Sequence, residues 1–195
     1  MEAFYMYQRS AGILAWTVAL SALLMSQAVK AAPTECSARV REFLDRPTTA
    51  VSSKVRTCWS LIDESPNRFG RLLQLVAAGN RVAAQYLASN FGATDGGNAE
   101  DATIALSQFA DHAGDQPLLE LVQQGVLSEV QIQDIYGSTS PTFTDRLETQ
   151  LDELTRRRAR LQALHTVTLS KEKSYALDGV GHSISQVRAA MGHKP

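Results

Sequence analysis

Residues 65–92 read SPNRFGRLLQLVAAGNRVAAQYLASNFG, and the punctuation of this stretch decides the fold. Ser65-Pro66 places an N-cap before a proline at the first helical position, and Gly79 suits the residue just past a helix C-terminus. Between them Phe69, Leu72, Leu73 and Val76 recur at helical spacing. Asn80 caps a second helix, which carries Val82, Tyr86 and Leu87 and stops near Gly92. Downstream, Asn98 opens a third helix with Ile104 and Phe109 that ends at Gly114. Asp115 caps PLLELVQQG, with Pro117 in the first turn. Ser128 with Gln131 forms a capping box for a helix through Val130, Ile132 and Ile135 to Gly137. Helices this short bury little alone and must stack on neighbours, so the pattern predicts an all-α fold, an irregular array of short helices.

Upstream of the array, Cys36–Asp45 and Thr48–Glu64 both read helical. Val40, Phe43 and Leu44 recur on the first; Val51, Val55, Cys58, Trp59 and Ile62 recur on the second. Arg46-Pro47-Thr48 is the turn, because a residue before proline is pushed out of the α region. Cys36 and Cys58 each lie eleven residues from Pro47. In an antiparallel hairpin, equal distances from the turn set the two side chains together, so these cysteines are expected to form a disulfide. The competing reading, two free thiols with one catalytic, needs a nearby base, and no histidine precedes His112.

Beyond Gly137, GSTSPT is a turn cluster, and Thr142 with Asp145 opens one longer helix, FTDRLETQLDELTRRRARLQALH. Leu147, Leu154 and Leu161 recur by seven with Leu151 and Leu164 beside them, while Arg158 and His165 fall on the other seam position. Packing on the protein's own body is therefore expected, rather than a free coiled coil. Residues 164–169, LHTVTL, alternate like a short strand or extended segment. Residues 171–195 contain Gly179, Gly181 and Gly192 and read as a weakly structured tail with a helix only near Ile184–Met191.

The array also contains an echo. Residues 72–79, LLQLVAAG, match residues 118–125, LLELVQQG, at a spacing of 46. The stretch RLLQLVAAGNRVAAQYLASNFGA resembles an ankyrin-type helical repeat through its AAGN turn, Tyr86-Leu87 and the closing Gly92-Ala93. The resemblance covers residues 70–93 and 116–137; it lacks the TPLH signature, and its period is 46 rather than 33. Because that family comprises protein-binding scaffolds, the resemblance implies partner binding without catalysis. The alternative is two unrelated amphipathic helices sharing a leucine pattern.

Charge is segregated along the chain. The net charge of −1 argues against a nucleic-acid partner. Residues 82–145 nevertheless contain no Lys or Arg and nine acids. Eight of these, Asp95, Glu100, Asp101, Asp111, Asp115, Glu120, Glu129 and Asp134, are the candidate partner-binding residues; the ninth is Asp145. Either they form an exposed face for a protein with a basic surface, or Arg156, Arg157, Arg158 and Arg160 cover them from within the same chain.

The first residues look like an address. Residues 11–25, AGILAWTVALSALLM, carry no charge, follow Arg9 and precede small residues. This is the pattern of a secretory signal, with cleavage after Ala28 or as late as Ala31, and it is shorter than the ~20 residues of a membrane span. An uncleaved anchor is the alternative. Residues 32–170 then form a single helical domain in the periplasm or outside the cell.

No catalytic signature is present: GxSxG, HExxH, the P-loop and the dinucleotide fingerprint are all missing. His165, His182 and His193 lack metal-ligand spacing, and no cofactor is implied. The expectation is an exported, non-catalytic protein-binding protein, an immunity-type inhibitor of a toxin or enzyme, or a secretion-system adaptor. Two alternatives stand beside it: a small periplasmic hydrolase using His112 or His182, and a membrane-anchored structural subunit that keeps residues 11–25.

Overall fold

The computed structural model describes residues 33–139 and 146–192. The signal segment, the Thr142–Asp145 helix start and His193 lie outside the described residues. The chain divides into two compact units, Met1–Glu35 and Cys36–Pro195. Of the first, only residues 33–35 are described, as the opening of a helix.

The described residues are all-helical, with no strand among them. Helix α1 (Pro33–Asp45) turns at Arg46-Pro47-Thr48 into α2 (Thr49–Val55), and Thr48 accepts a bond from Val51 N. The single helix expected over Thr48–Glu64 is instead three pieces: α2, a 3-10 turn (Arg56–Cys58) and α3 (Ser60–Asp63). The break preserves the hairpin, and Cys36 and Cys58 form a disulfide with Cα atoms 5.7 Å apart. A loop of this size stabilises by about 3 kcal/mol in the chain-entropy view. Val40, Phe43, Val55 and Ile62 of the hairpin are buried with it. Phe43 and Trp59 both pack on the Tyr86 ring, with centroids 4.7 and 5.8 Å away.

The array follows as α4 (Pro66–Ala77), α5 (Arg81–Asn90), a 3-10 turn (Phe91–Ala93), α6 (Gly96–Ala113), α7 (Gln116–Gln123) and α8 (Glu129–Gly137). Gly79 has φ +85°, the Asn80 side chain accepts from Ala83 N, and both halves of the Ser128–Gln131 capping box form. Asn98 does not open α6. The helix starts at Gly96, and Asn98 Nδ2 instead donates to the Asp63 carbonyl at 3.1 Å and to Asp63 Oδ1 at 3.0 Å.

The echo at 46 residues is local. Both copies end in the same Schellman stop, with Asn80 N donating to Leu75 O and Val126 N to Leu121 O. The packed faces differ. In α4 the buried positions are Phe69, Leu72 and Val76; in α7 they are Leu118, Leu119 and Leu121. The shared letters encode how a helix stops, while the neighbours decide which side it buries.

Two long helices close the structure, α9 (Leu147–Ala163) and α10 (Ser170–Ala190). Residues 164–169 form an irregular turn between them rather than a strand. Lys173 helps hold this turn by donating Nζ to the carbonyls of Gln162 and Leu164. The expected weak tail is the longest described helix, packed along both α8 and α9. Its buried positions are Ala176, Gly179, Val180, Ile184 and Val187. Gly179 permits close approach: a Cβ there would strike the carbonyl group of Gln133.

Candidate functional site

The eight candidate acids separate into two sets. Asp95, Glu100, Asp101, Glu129 and Asp134 are exposed, and Glu120 is half-buried. None of these six makes an ion pair among the described residues. Asp111 and Asp115 turn toward α9. Asp115 is only 4% exposed. Arg160 grips it bidentately, Nε donating to Oδ2 at 2.8 Å and Nη2 to Oδ1 at 2.9 Å. Arg160 Nη1 donates to Asp111 Oδ1 at 2.7 Å, and Tyr136 Oη donates to Asp115 Oδ1 at 3.0 Å.

Asp115 is therefore removed from the expected binding face, and its side chain makes no capping bond either. The physical reason is that a buried carboxylate is stabilised far more by a fork of charged donors than by leaving it for a backbone N–H. Asp111 keeps some exposure but is committed to the chain's own arginines.

Arg157 completes this network while only 2% exposed. Its Nη1 donates to the carbonyls of Tyr136 and Ser138 at 2.9 and 2.6 Å, and its Nη2 to Glu153 Oε1 at 2.7 Å. Arg156 and Arg158 point to solvent. Of the four arginines, two serve internal acids and two do not. The sequence offers Arg158 as the flanking seam position and predicts packing on the protein's own body. The helix does pack on the body, and Leu154, Arg157 and Leu161 share its buried face, with Arg157 rather than Arg158 inward. That i, i+3, i+7 spacing was the available sign of Arg157; nothing in the sequence marked Tyr136.

Burial pushes the Tyr136 phenol well above its ordinary range, and the adjacent Asp115 charge adds to the effect. For Arg160, burial alone would lower the pKa, but the bonds to Asp115 and Asp111 outweigh it and raise it. The network is a clamp joining the α6–α7 corner, α8 and α9.

A groove of about 620 Å³ runs beside the α8–α10 crossing. Gln133, Asp134 and Ser138 line one wall, and Asp178, His182 and Gln186 the other, with Ser183 at the base. The crossing brings His182 and Asp134, from two separate sequence candidates, to one cleft. His182 Nε2 lies 2.9 Å from Gln186 Nε2, so with a neutral ring the amide donates and the ring accepts. Its chain neighbour Ser183 diverges by about 100° around the helix. His112 is exposed at the C-terminal end of α6, its Nδ1 3.1 Å from the Gln108 carbonyl. A second cavity, about 350 Å³, is lined by Ser52, Ser53, Arg56, Gln85 and Ser89. Its three serine hydroxyls donate to carbonyls of their own helices.

The closed disulfide is compatible with an oxidising compartment. Among the described residues, no helix is long and apolar enough to cross a membrane, and no cluster of three or more His, Cys, Asp or Glu is arranged to hold a metal ion. Comparison with family models, with curated proteins and with solved structures gave no match.

Proposed function

We propose that this chain is an exported, non-catalytic protein-binding protein, an immunity-type inhibitor or secretion-system adaptor, that docks a basic partner on the carboxylates of α6, α7 and α8. One observation carries the reading. In a segment without a single Lys or Arg, the arginines among the described residues take up Asp111 and Asp115 and leave six described carboxylates without an ion pair there. An unneutralised set of charges on a clamped helical body speeds encounter with a partner of opposite sign and orients it. The signal-like segment and the disulfide support an encounter outside the cytoplasm.

The test begins with capture of the partner from the native envelope fraction, followed by association kinetics across a salt series. The triple substitution Glu100→Lys, Asp101→Lys and Glu129→Lys should slow association at least tenfold at low salt and flatten the salt dependence. An unchanged association rate in the folded triple variant overturns the electrostatic reading.

The meeting of His182 with Asp134 in one groove supports a second reading, a small hydrolase. Its test is direct: His182→Ala abolishes any hydrolytic activity of the purified chain if this reading holds and leaves it intact if it does not.

A further inference from the structure

We infer that the groove between α8 and α10 is a receptor for an arginine side chain presented by the bound partner. This inference rests on the protein-binding reading and specifies where the partner's basic group is held. The groove exists because Gly137 and Gly179 let two helices cross closely. A Cβ on Gly137 would sit 2.6 Å from Ser183 Oγ, and one on Gly179 would strike the Gln133 backbone. Close crossing at one point leaves a cleft flanking it, walled by the residues one turn away on each helix.

The wall holds two carboxylates. Asp134 stands on α8 and Asp178 on α10, and no Lys or Arg among the described residues lines the groove. Both carboxylates are exposed, and neither makes an ion pair among the described residues. The neutral groups add acceptors. Ser138 Oγ donates back to the Ile135 carbonyl at 2.9 Å, so its lone pairs are what it offers outward. The contact between Gln186 Nε2 and His182 Nε2 uses one of the two Gln186 N–H donors and leaves its carbonyl oxygen as an acceptor. A guanidinium suits this wall, with five donors in a planar fork and no acceptor. The volume, about 620 Å³, lies within the ~300–1,000 Å³ typical of ligand sites. A carboxylate or phosphate would face two like charges and is disfavoured by repulsion.

The probe is the capped tripeptide acetyl-Gly-Arg-Gly-amide, with its citrulline counterpart as the uncharged isostere. Each is titrated into the isotope-labelled full-length oxidised chain and followed by amide chemical shifts. The arginine peptide should move the amides of Gln133, Asp134, Ser138, His182, Ser183 and Gln186, and bind at least tenfold more tightly than the citrulline peptide. Asp134→Asn with Asp178→Asn should weaken it tenfold or more, and Asp178→Asn alone by an intermediate amount. Equal binding of the two peptides, shifts centred elsewhere, no shift at all, or indifference to the double substitution would each overturn the inference. The two readings fail separately. A partner whose binding responds to the α6–α8 charge reversals but not to Asp134→Asn with Asp178→Asn sinks the groove alone. Arginine-peptide binding in the groove without any protein partner sinks the docking reading alone.

Discussion

At the crossing of α8 and α10 a single hydrogen atom decides the fit. A Cβ at Gly179 would lie 2.6 Å from Gln133 Cα, and that obstacle is backbone of a neighbouring helix, unable to rotate away. Gly181, two residues further on, would meet nothing within 4 Å. Gly181→Ala should therefore stabilise by about 0.5–1 kcal/mol, through helix propensity alone. Gly179→Ala has the same propensity gain but forces the helices apart, an overpacking penalty of about 1–3 kcal/mol or more, so its net effect is destabilising. Urea unfolding of both variants checks this, and opposite signs are the expected outcome. The pair also explains why this part of the chain was illegible in the sequence. Glycine is a poor helix former, and three glycines between 179 and 192 look like a tail. Packing against Gln133 turns one of them from a weakness into a requirement, and no local propensity reports a contact with a residue 46 positions away. Asp115 shows the same limit: it holds the N-cap position the sequence gives it, but its carboxylate goes to Arg160, and only the distant position of Arg160 tells a capping side chain from a buried ion-pair partner.

Among the helices, what could be read was what neighbouring residues settle. The stops at Gly79 and Gly125, the cap at Asn80, the capping box at Ser128 and the hairpin that sets Cys36 against Cys58 all depend on residues close in sequence or on counting from a turn. What escaped was set by distant partners: the break at Arg56–Cys58, the full length of α10, and which of four arginines faces inward. The paired stops allow a comparison at this scale. Gly79 and Gly125 both hold positive φ, +85° and +71°, at the ends of α4 and α7. Alanine in that conformation costs about 1–2 kcal/mol at either site. At Gly79 the new methyl would also press on His112 Cβ at 3.3 Å, whereas at Gly125 it meets nothing within 4 Å. Gly79→Ala should thus lower the melting temperature more than Gly125→Ala. Gly125→Asn should fall between Gly125→Ala and the parent, since asparagine tolerates the left-handed region better. Identical losses at the two glycines would mean that α4 and α6 do not meet at this corner in solution.

The molecule as a whole is tested by the two buried tyrosines among its described residues. Tyr86 sits among Phe43 and Trp59 beside the disulfide, and its hydroxyl donates to the Val55 carbonyl at 3.1 Å. Tyr136 sits in the clamp between α8 and α9, its hydroxyl on Asp115. Burial raises the pKa of both above the ordinary tyrosine value of about 10. The folded state therefore retains phenolic protons that the unfolded chain loses. The stability this gives is fully present below pH ~10 and is lost as pH rises from there toward the folded pKa values. Each tyrosine steepens the decline by up to about 1.4 kcal/mol per pH unit, and the two together by up to about 2.7. The tyrosines occupy different ends of the array, yet both lie in the one compact unit Cys36–Pro195. If that unit unfolds cooperatively, a single transition registers both protons. Tyr86→Phe and Tyr136→Phe should then each remove about half of this tyrosine contribution to the slope between pH 10 and 11, measured by denaturant unfolding at fixed pH steps. Tyr136→Phe should also destabilise at pH 7 by about 1–2 kcal/mol, because Asp115 loses a donor while remaining buried. Two separate alkaline transitions, each sensitive to one substitution, would show instead that the disulfide hairpin and the arginine clamp hold two bodies that unfold independently.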